Sequence, residues 1–139
     1  MIIAIPQLNY KAGDIQGNSE KIISAIQKAQ NQKAELILFP ELAVSGALPQ
    51  DLLEREEFVN ACRMAVEKIA ATCTQIAAIV GAPNLDSENG IMYNSAYFIQ
   101  HGEVVDGVHK NILSDYDIFS ESRYFIAGED NTPIRYKNQ

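Results

Sequence analysis

No stretch of the 139 residues is apolar for long enough to cross a bilayer. The opening run Met1-Ile2-Ile3-Ala4-Ile5-Pro6 has no basic segment ahead of it and no small-residue cleavage site, so no secretory leader is expected. The reading is a cytoplasmic protein that does not engage a membrane. Positive charge is also scarce: 11 Lys and Arg face 18 Asp and Glu, leaving a net charge of −7. Proteins that grip a phosphate backbone gather Lys and Arg on one face, so nucleic acid is not expected as a partner. Cysteine is limited to Cys62 and Cys73, which have neither zinc-site spacing nor the density of a disulfide scaffold, and no metal site is expected. They fall with Phe58, Val66 and Ile69 on one helical stripe, the pattern of buried thiols acting as small hydrophobes; a catalytic role for either is the alternative. No Gly-x-Gly-x-x-Gly follows a strand, which removes the fingerprint of a dinucleotide-binding domain. There is no repeat, linker or composition break, so residues 1–139 read as one domain or part of one.

What the sequence does contain is an alternation of short apolar runs with helical stripes, the α/β pattern. Leu36-Ile37-Leu38-Phe39 has no polar alternation, which is how a strand covered on both faces looks. Pro40 should end it, because proline donates nothing to a sheet ladder. Ile2 to Ile5, closed by Pro6, predicts the first strand, and Ile76 to Gly81, ended by Pro83, the third. Asn18 or Ser19 is placed to cap a helix with a stripe of Ile22, Ile26 and Ala29, so strand, helix and strand make a right-handed βαβ unit. Leu48-Pro49-Gln50 predicts a turn into a second helix running to about Thr72, with Asp51 and Glu54 at the positive end of its dipole. After a polar loop over Asn84 to Gly90, the runs Tyr93–Gln100 and Glu103–Lys110 flank His101-Gly102, a two-residue connection that predicts an antiparallel hairpin. Asn111 to Asn131 is long for a connection, and Tyr116, Phe119, Tyr124 and Phe125 favour an ordered, functional loop. Ile134 to Tyr136 then predicts the start of another strand.

Two charged positions stand out. Glu41 lies just past the carboxyl end of the second strand, where open α/β sheets keep their ligands. Beside so apolar a run its carboxylate is expected to be desolvated, which suits general-base work; a solvated loop acid is the alternative. Lys110 closes the hairpin and leads into the aromatic loop, and by itself a lysine there reads as a surface charge.

Taken together, Phe39-Pro40-Glu41-Leu42, Ser45-Gly46 and Pro49-Gln50-Asp51-Leu52-Leu53, with Lys110-Asn111-Ile112-Leu113 and Tyr116 to Phe125, resemble the nitrilase (carbon–nitrogen hydrolase) superfamily. The Pro-x-Asp-Leu-Leu and Tyr-x-x-Phe-x-Glu-x-Arg-Tyr-Phe segments are similar to the amino-terminal glutaminase domain of glutamine-dependent NAD synthetases. The opening Gln7-Leu8-Asn9, Gly13-Asp14-Ile15 and Gly17-Asn18 is similar as well, so the resemblance spans essentially the whole chain. It implies an α/β fold of the α-β-β-α sandwich type, with residues 1–139 its amino-terminal portion, stopping before the strand that leads to the nucleophile. It also implies a Glu-Lys-Cys triad: Glu41 as general base for a thiol proton, Lys110 as the cation for charge developing on a carbonyl oxygen, and a cysteine with no counterpart here. Cys62 and Cys73 lie in the wrong segment for it. Placed close together, Glu41 and Lys110 would titrate as a pair.

By the same resemblance glutamine is the small-molecule substrate, Tyr116 lines its pocket, and Glu121 and Arg123 shape the loop behind it. For those last two, an ion pair without catalytic meaning is the alternative. No cofactor is implied for this portion; ATP and Mg would serve a separate synthetase domain that uses the ammonia. Two departures from the pattern, Ser114 where proline is usual and Ala47 where an aromatic is common, imply a looser loop and an altered pocket. Another amidase of the superfamily, or a non-catalytic binding or assembly domain of this fold, is the alternative function. A sheet edge left open at the carboxyl end implies a homo-oligomer.

Overall fold

The computed structural model describes residues 1–130 and 132–137. Its single sheet has the strand order β1 (Ile3–Ala4), β2 (Leu36–Leu38), β3 (Ala77–Asp86), β4 (Ile91–Gln100), β5 (Glu103–His109). β1, β2 and β3 pair in parallel, and β3, β4 and β5 antiparallel. Parallel neighbours need crossovers, and α1 (Ile15–Asn31) and α2 (Glu56–Ala70) supply them. The hairpin turns where expected: His101 and Gly102 both take positive φ, +56° and +85°, the left-handed pair that lets a two-residue turn follow the twist of its strands.

Side chains alternate across the sheet, so Ile37, Val80 and Ile99 face the helices and pack with Ile22, Ile26, Val66 and Ile69 in one core. Cys62 and Cys73 are fully buried in it, and burial pushes their thiols up to about 12 and about 11. Neither can furnish a thiolate near neutral pH. Cys73 lies beyond the end of α2 and reaches the core from the following turn.

Several boundaries differ from the sequence reading. α1 begins earlier: Asp14 caps it, its Oδ1 accepting from Gly17 N–H at 3.0 Å, and Asn18 and Ser19 are buried inside the helix. The second helix is broken at Arg55, whose extended backbone (ψ 112°) separates a 3-10 turn, Gln50–Glu54, from α2. Leu53 on that turn joins Leu42 and Phe125 in a small second cluster, whereas α2 faces the main core, and the break lets each piece point its own way.

Pro83 does not end β3. β2 pairs with β3 only as far as Ile79, so at Pro83 the paired neighbour is β4 alone, the kind of edge position that tolerates a missing N–H. The polar loop therefore shrinks to a turn closed by Gly90 N–H donating to Asp86 O at 2.8 Å. Ile134 to Tyr136 is not a strand either: the Tyr136 ring packs edge-on against Phe98 at 5.8 Å, and its hydroxyl donates to Glu35 O at 2.8 Å. The long loop is irregular apart from a 3-10 turn at Glu121–Arg123, and its expected last residue, Asn131, lies outside the described residues. Among the described residues no helix is long and apolar enough to cross a membrane.

Candidate active site

Past β2, Pro40 turns the chain across the sheet and over β3. Gly81 makes this possible: a Cβ there would lie 2.4 Å from Pro40 O and 2.8 Å from the Glu41 Cα. Glu41 thus stands at the crest of a turn lying on the sheet, followed by Leu42 at φ +51°, a conformation that costs a branched side chain energy and persists only where its surroundings hold it. Those surroundings are visible. The fully buried Asn18 side chain donates to Lys11 O (2.9 Å) and Val44 O (3.1 Å) and accepts from Lys11 N–H (2.9 Å). Val44 N–H donates to Gly81 O at 3.2 Å, tying the turn to the strand beneath it.

Lys110 arrives from the other side. Its N–H donates to Asn94 O at 2.8 Å, extending the β4–β5 ladder by one step. Its ammonium donates to Glu41 Oε1 at 2.8 Å and to Glu121 Oε2 at 2.7 Å. The Asn94 amide donates to Glu41 Oε1 and, at 2.9 Å, to Glu121 Oε1. Ser114 N–H completes the set with a 2.6 Å bond to Glu121 Oε2. Burial pushes the Glu121 carboxyl up, but hydrogen bonds from Lys110, Ser114 and Asn94 outweigh it and hold the group below the usual carboxylate range. Burial likewise pulls Lys110 down, and its bonds to Glu121 and Glu41 more than reverse this. The desolvation expected at Glu41 falls on Glu121 instead: the Glu41 side chain is 52% exposed and that of Glu121 10%. A turn crest faces open space, while Glu121 sits beneath its own loop.

Glu41, Lys110 and Glu121 line a cavity of about 260 Å³ whose other walls are the 47–53 segment and the aromatic loop, including Tyr116, Phe119 and Tyr124. Tyr116 is 66% exposed at the rim, its ring 5.3 Å from that of Phe119. Tyr124 donates to Asp51 Oδ1 at 2.6 Å, and Arg123 pairs with Glu54 at 3.1 Å and Asp51 at 3.2 Å, so the two walls are clasped together. Glu121 and Arg123 therefore do not pair with each other; one turns in to Lys110 and the other out to the 3-10 turn. A second depression, on the sheet face beside Leu38, Ile79 and Val108, shares Glu41 and Lys110. The two groups are reached from both sides.

The Carbon-nitrogen hydrolase family model matches residues 2–136. The chain belongs to this family. It is 40% identical over 136 residues to the glutamine-dependent NAD(+) synthetase of Xylella fastidiosa (strain Temecula1), covering 97% of this chain and 25% of that protein. The corresponding Aquifex aeolicus protein is 36% identical over 130 residues, covering 92% and 22%. In structure it is similar to the glutamine-dependent NAD+ synthetase of Acinetobacter baumannii, with a TM-score of 0.91, 32% identity and 98% and 26% coverage. An amidase from Nesterenkonia sp. gives a TM-score of 0.79 at 28% identity, with 98% and 51% coverage. In a mutant of that amidase, acrylamide has undergone Michael addition at the active site cysteine. The chain spans about a quarter of the length of the curated relatives it matches.

Within this carbon–nitrogen hydrolase fold, Glu41, Lys110, Glu121 and Tyr116 meet at one cavity, and Ala47 and Ser114 line it. Ser114 has a definite task there, since a proline at that position would have no N–H to give Glu121. Sequence reasoning missed Asn94. The signal was a lone amide inside the apolar strand Ile91-Met92-Tyr93-Asn94-Ser95-Ala96-Tyr97-Phe98, where a buried polar group needs a partner. Neither Cys62 nor Cys73 lines the cavity, and among the described residues no cluster of three His, Cys, Asp or Glu could hold a metal.

Proposed function

We propose that these residues belong to a cytoplasmic glutamine amide hydrolase that supplies ammonia for making NAD from deamido-NAD, through Glu-Lys-Cys chemistry in which Glu41 and Lys110 are two of the three members. The observation carrying this reading is the Lys110 ammonium held 2.8 Å from Glu41 at the floor of an aromatic-walled cavity. The curated relatives, named as glutamine-dependent NAD(+) synthetases, support the substrate. The nucleophile would be a cysteine outside these 139 residues, approaching from the sheet-face depression while the amide occupies the aromatic cavity.

In this mechanism Glu41 takes the thiol proton, and the sulfur forms a bond to the amide carbon. Lys110, whose charge its two carboxylate partners secure, stabilises the resulting oxyanion. Glu41 returns the proton to the nitrogen as the C–N bond breaks and ammonia leaves. Water then gives Glu41 a proton as its oxygen attacks the thioester, the C–S bond breaks, the sulfur recovers the proton, and glutamate departs. Tyr116 lines the glutamine pocket, and Glu121 holds Lys110 in place. No cofactor is needed at this site; ATP and Mg serve the separate synthetase chemistry.

The test uses the complete open reading frame containing these residues, with ammonia release from glutamine as the readout. Glu41→Gln should lower kcat by at least about 10³-fold, the scale of losing a central catalytic group. A gene product that releases no ammonia from glutamine, or that is indifferent to Glu41→Gln, refutes the proposal.

A further inference from the structure

Asn94 bonds both carboxylates of the site and the backbone of Lys110. Its carbonyl accepts the Lys110 backbone N–H, and its side-chain amide divides its two N–H bonds between Glu41 Oε1 and Glu121 Oε1. The amide cannot be turned the other way, because its oxygen would then face two carboxylate oxygens. The residue is buried, 3% exposed, in the middle of β4, so both donors are held on a rigid strand rather than on a loop.

We propose that Asn94 is the positioning residue of this pair, fixing which oxygen of Glu41 is left to take a proton. The inference rests on the proposed role of Glu41 as base. Lys110 and Asn94 both bond to Oε1, while Oε2 carries none of these hydrogen bonds and is the oxygen left for a proton. With Lys110 as the sole donor, the carboxylate would rotate about its terminal bond, whose torsional preference is broad, and its two oxygens would exchange roles. Asn94 also lets two carboxylates share one ammonium: its second N–H supplies to Glu121 a donor that does not compete for Lys110. An aspartate of the same size would instead set a third carboxylate against a single cation. A leucine would leave both glutamates short of a donor.

Two variants and two readouts test this. In the 139-residue chain labelled with 13C at glutamate carboxyls, Asn94→Leu should raise the titration midpoint of Glu121 by about one pH unit, the scale of losing one charge-assisted donor at a partly wet site. In the complete gene product the same change should lower kcat roughly 10- to 100-fold with KM altered less than about threefold, and move the acid limb of the kcat/KM profile upward, which simple loosening of the fold would not do. A folded Asn94→Leu chain with an unmoved Glu121 midpoint, or a gene product with unchanged kcat, overturns the inference. Should the leucine variant not fold, Asn94→Asp takes its place: Glu121 must move in the same direction, and an unmoved midpoint is again decisive against. A gene product with no activity before substitution sinks the proposed function and the role of Asn94 in orienting a base with it, and the carboxyl titration then decides only whether Asn94 stabilises the Glu121 carboxylate.

Discussion

Gly81→Ala joins the packing of the sheet to the geometry of the site. The added Cβ would meet Pro40 O at 2.4 Å, Leu42 N at 2.6 Å and Glu41 Cα at 2.8 Å, all of them backbone. No rotamer can relieve such contacts, so the turn must lift off β3 by at least roughly half an ångström. Overpacking of this kind costs about 1–3 kcal/mol. For a domain of this size that is a fall in Tm of roughly 3–12 °C, read by circular dichroism. The lift also takes Glu41 away from Lys110 and Asn94, which are anchored on other strands. Their bond, 2.8 Å for Lys110, is already at its optimum and can only lengthen. Gly107→Ala is the matched control, because its Cβ would come no closer than 3.8 Å to any neighbour. That change should be neutral or stabilise by up to about 1 kcal/mol through loss of unfolded-chain entropy. If the two variants melt together, or if Glu41 and Lys110 side-chain resonances are unmoved by Gly81→Ala, the argument that this glycine seats the turn is wrong.

Glu121 lies below the usual carboxylate range in the folded chain, so its interactions add stability above the unfolded value and lose it as pH falls through the folded one. Urea midpoints of Glu121→Gln should accordingly fall short of the parent's at neutral pH and converge with them in acid; a gap that persists in acid refutes the linkage. Lys110 lies above its ordinary value, so its contribution is complete below that value and should fade only as pH rises through the elevated one, which alkaline denaturation of Lys110→Met against the parent would reveal. Ser114→Pro removes the N–H that Glu121 accepts, and carboxyl titration should find Glu121 shifted upward; no movement would show that the bond carries no charge stabilisation. Cys62 and Cys73, pushed up to about 12 and about 11 by burial, should resist iodoacetamide at mildly alkaline pH in the native chain and react once urea unfolds it, with mass spectrometry counting adducts.

Much of the scaffold is local in origin, and that part could be read from the chain. Uninterrupted apolar runs, a left-handed dipeptide at His101-Gly102 and helical stripes are each set by a few neighbouring residues, so β2, the hairpin and α1 followed from their own sequences. Motif order also brought Glu41, Lys110, Tyr116 and Glu121 forward as a set. What depended on partners far along the chain could not be read in this way. Pro83 looked like a stop until the short β2 left β3 with one paired neighbour beside it. Asn18 looked like a cap, although its amide is spent on Lys11 and Val44.

The sequence by itself determined β2, the β4–β5 hairpin and the apolar stripe of α1, and which charged residues follow the strands, because propensity, periodicity and turn chemistry act over a few residues. Only the tertiary structure decided that Glu121 rather than Glu41 is the buried carboxylate, that Arg123 serves Asp51 and Glu54, and that Asn94 stands between two acids. Burial and hydrogen-bond partnership are properties of surroundings assembled from separate strands and loops, and the spacing of residues along one strand carries no record of what folds back over it.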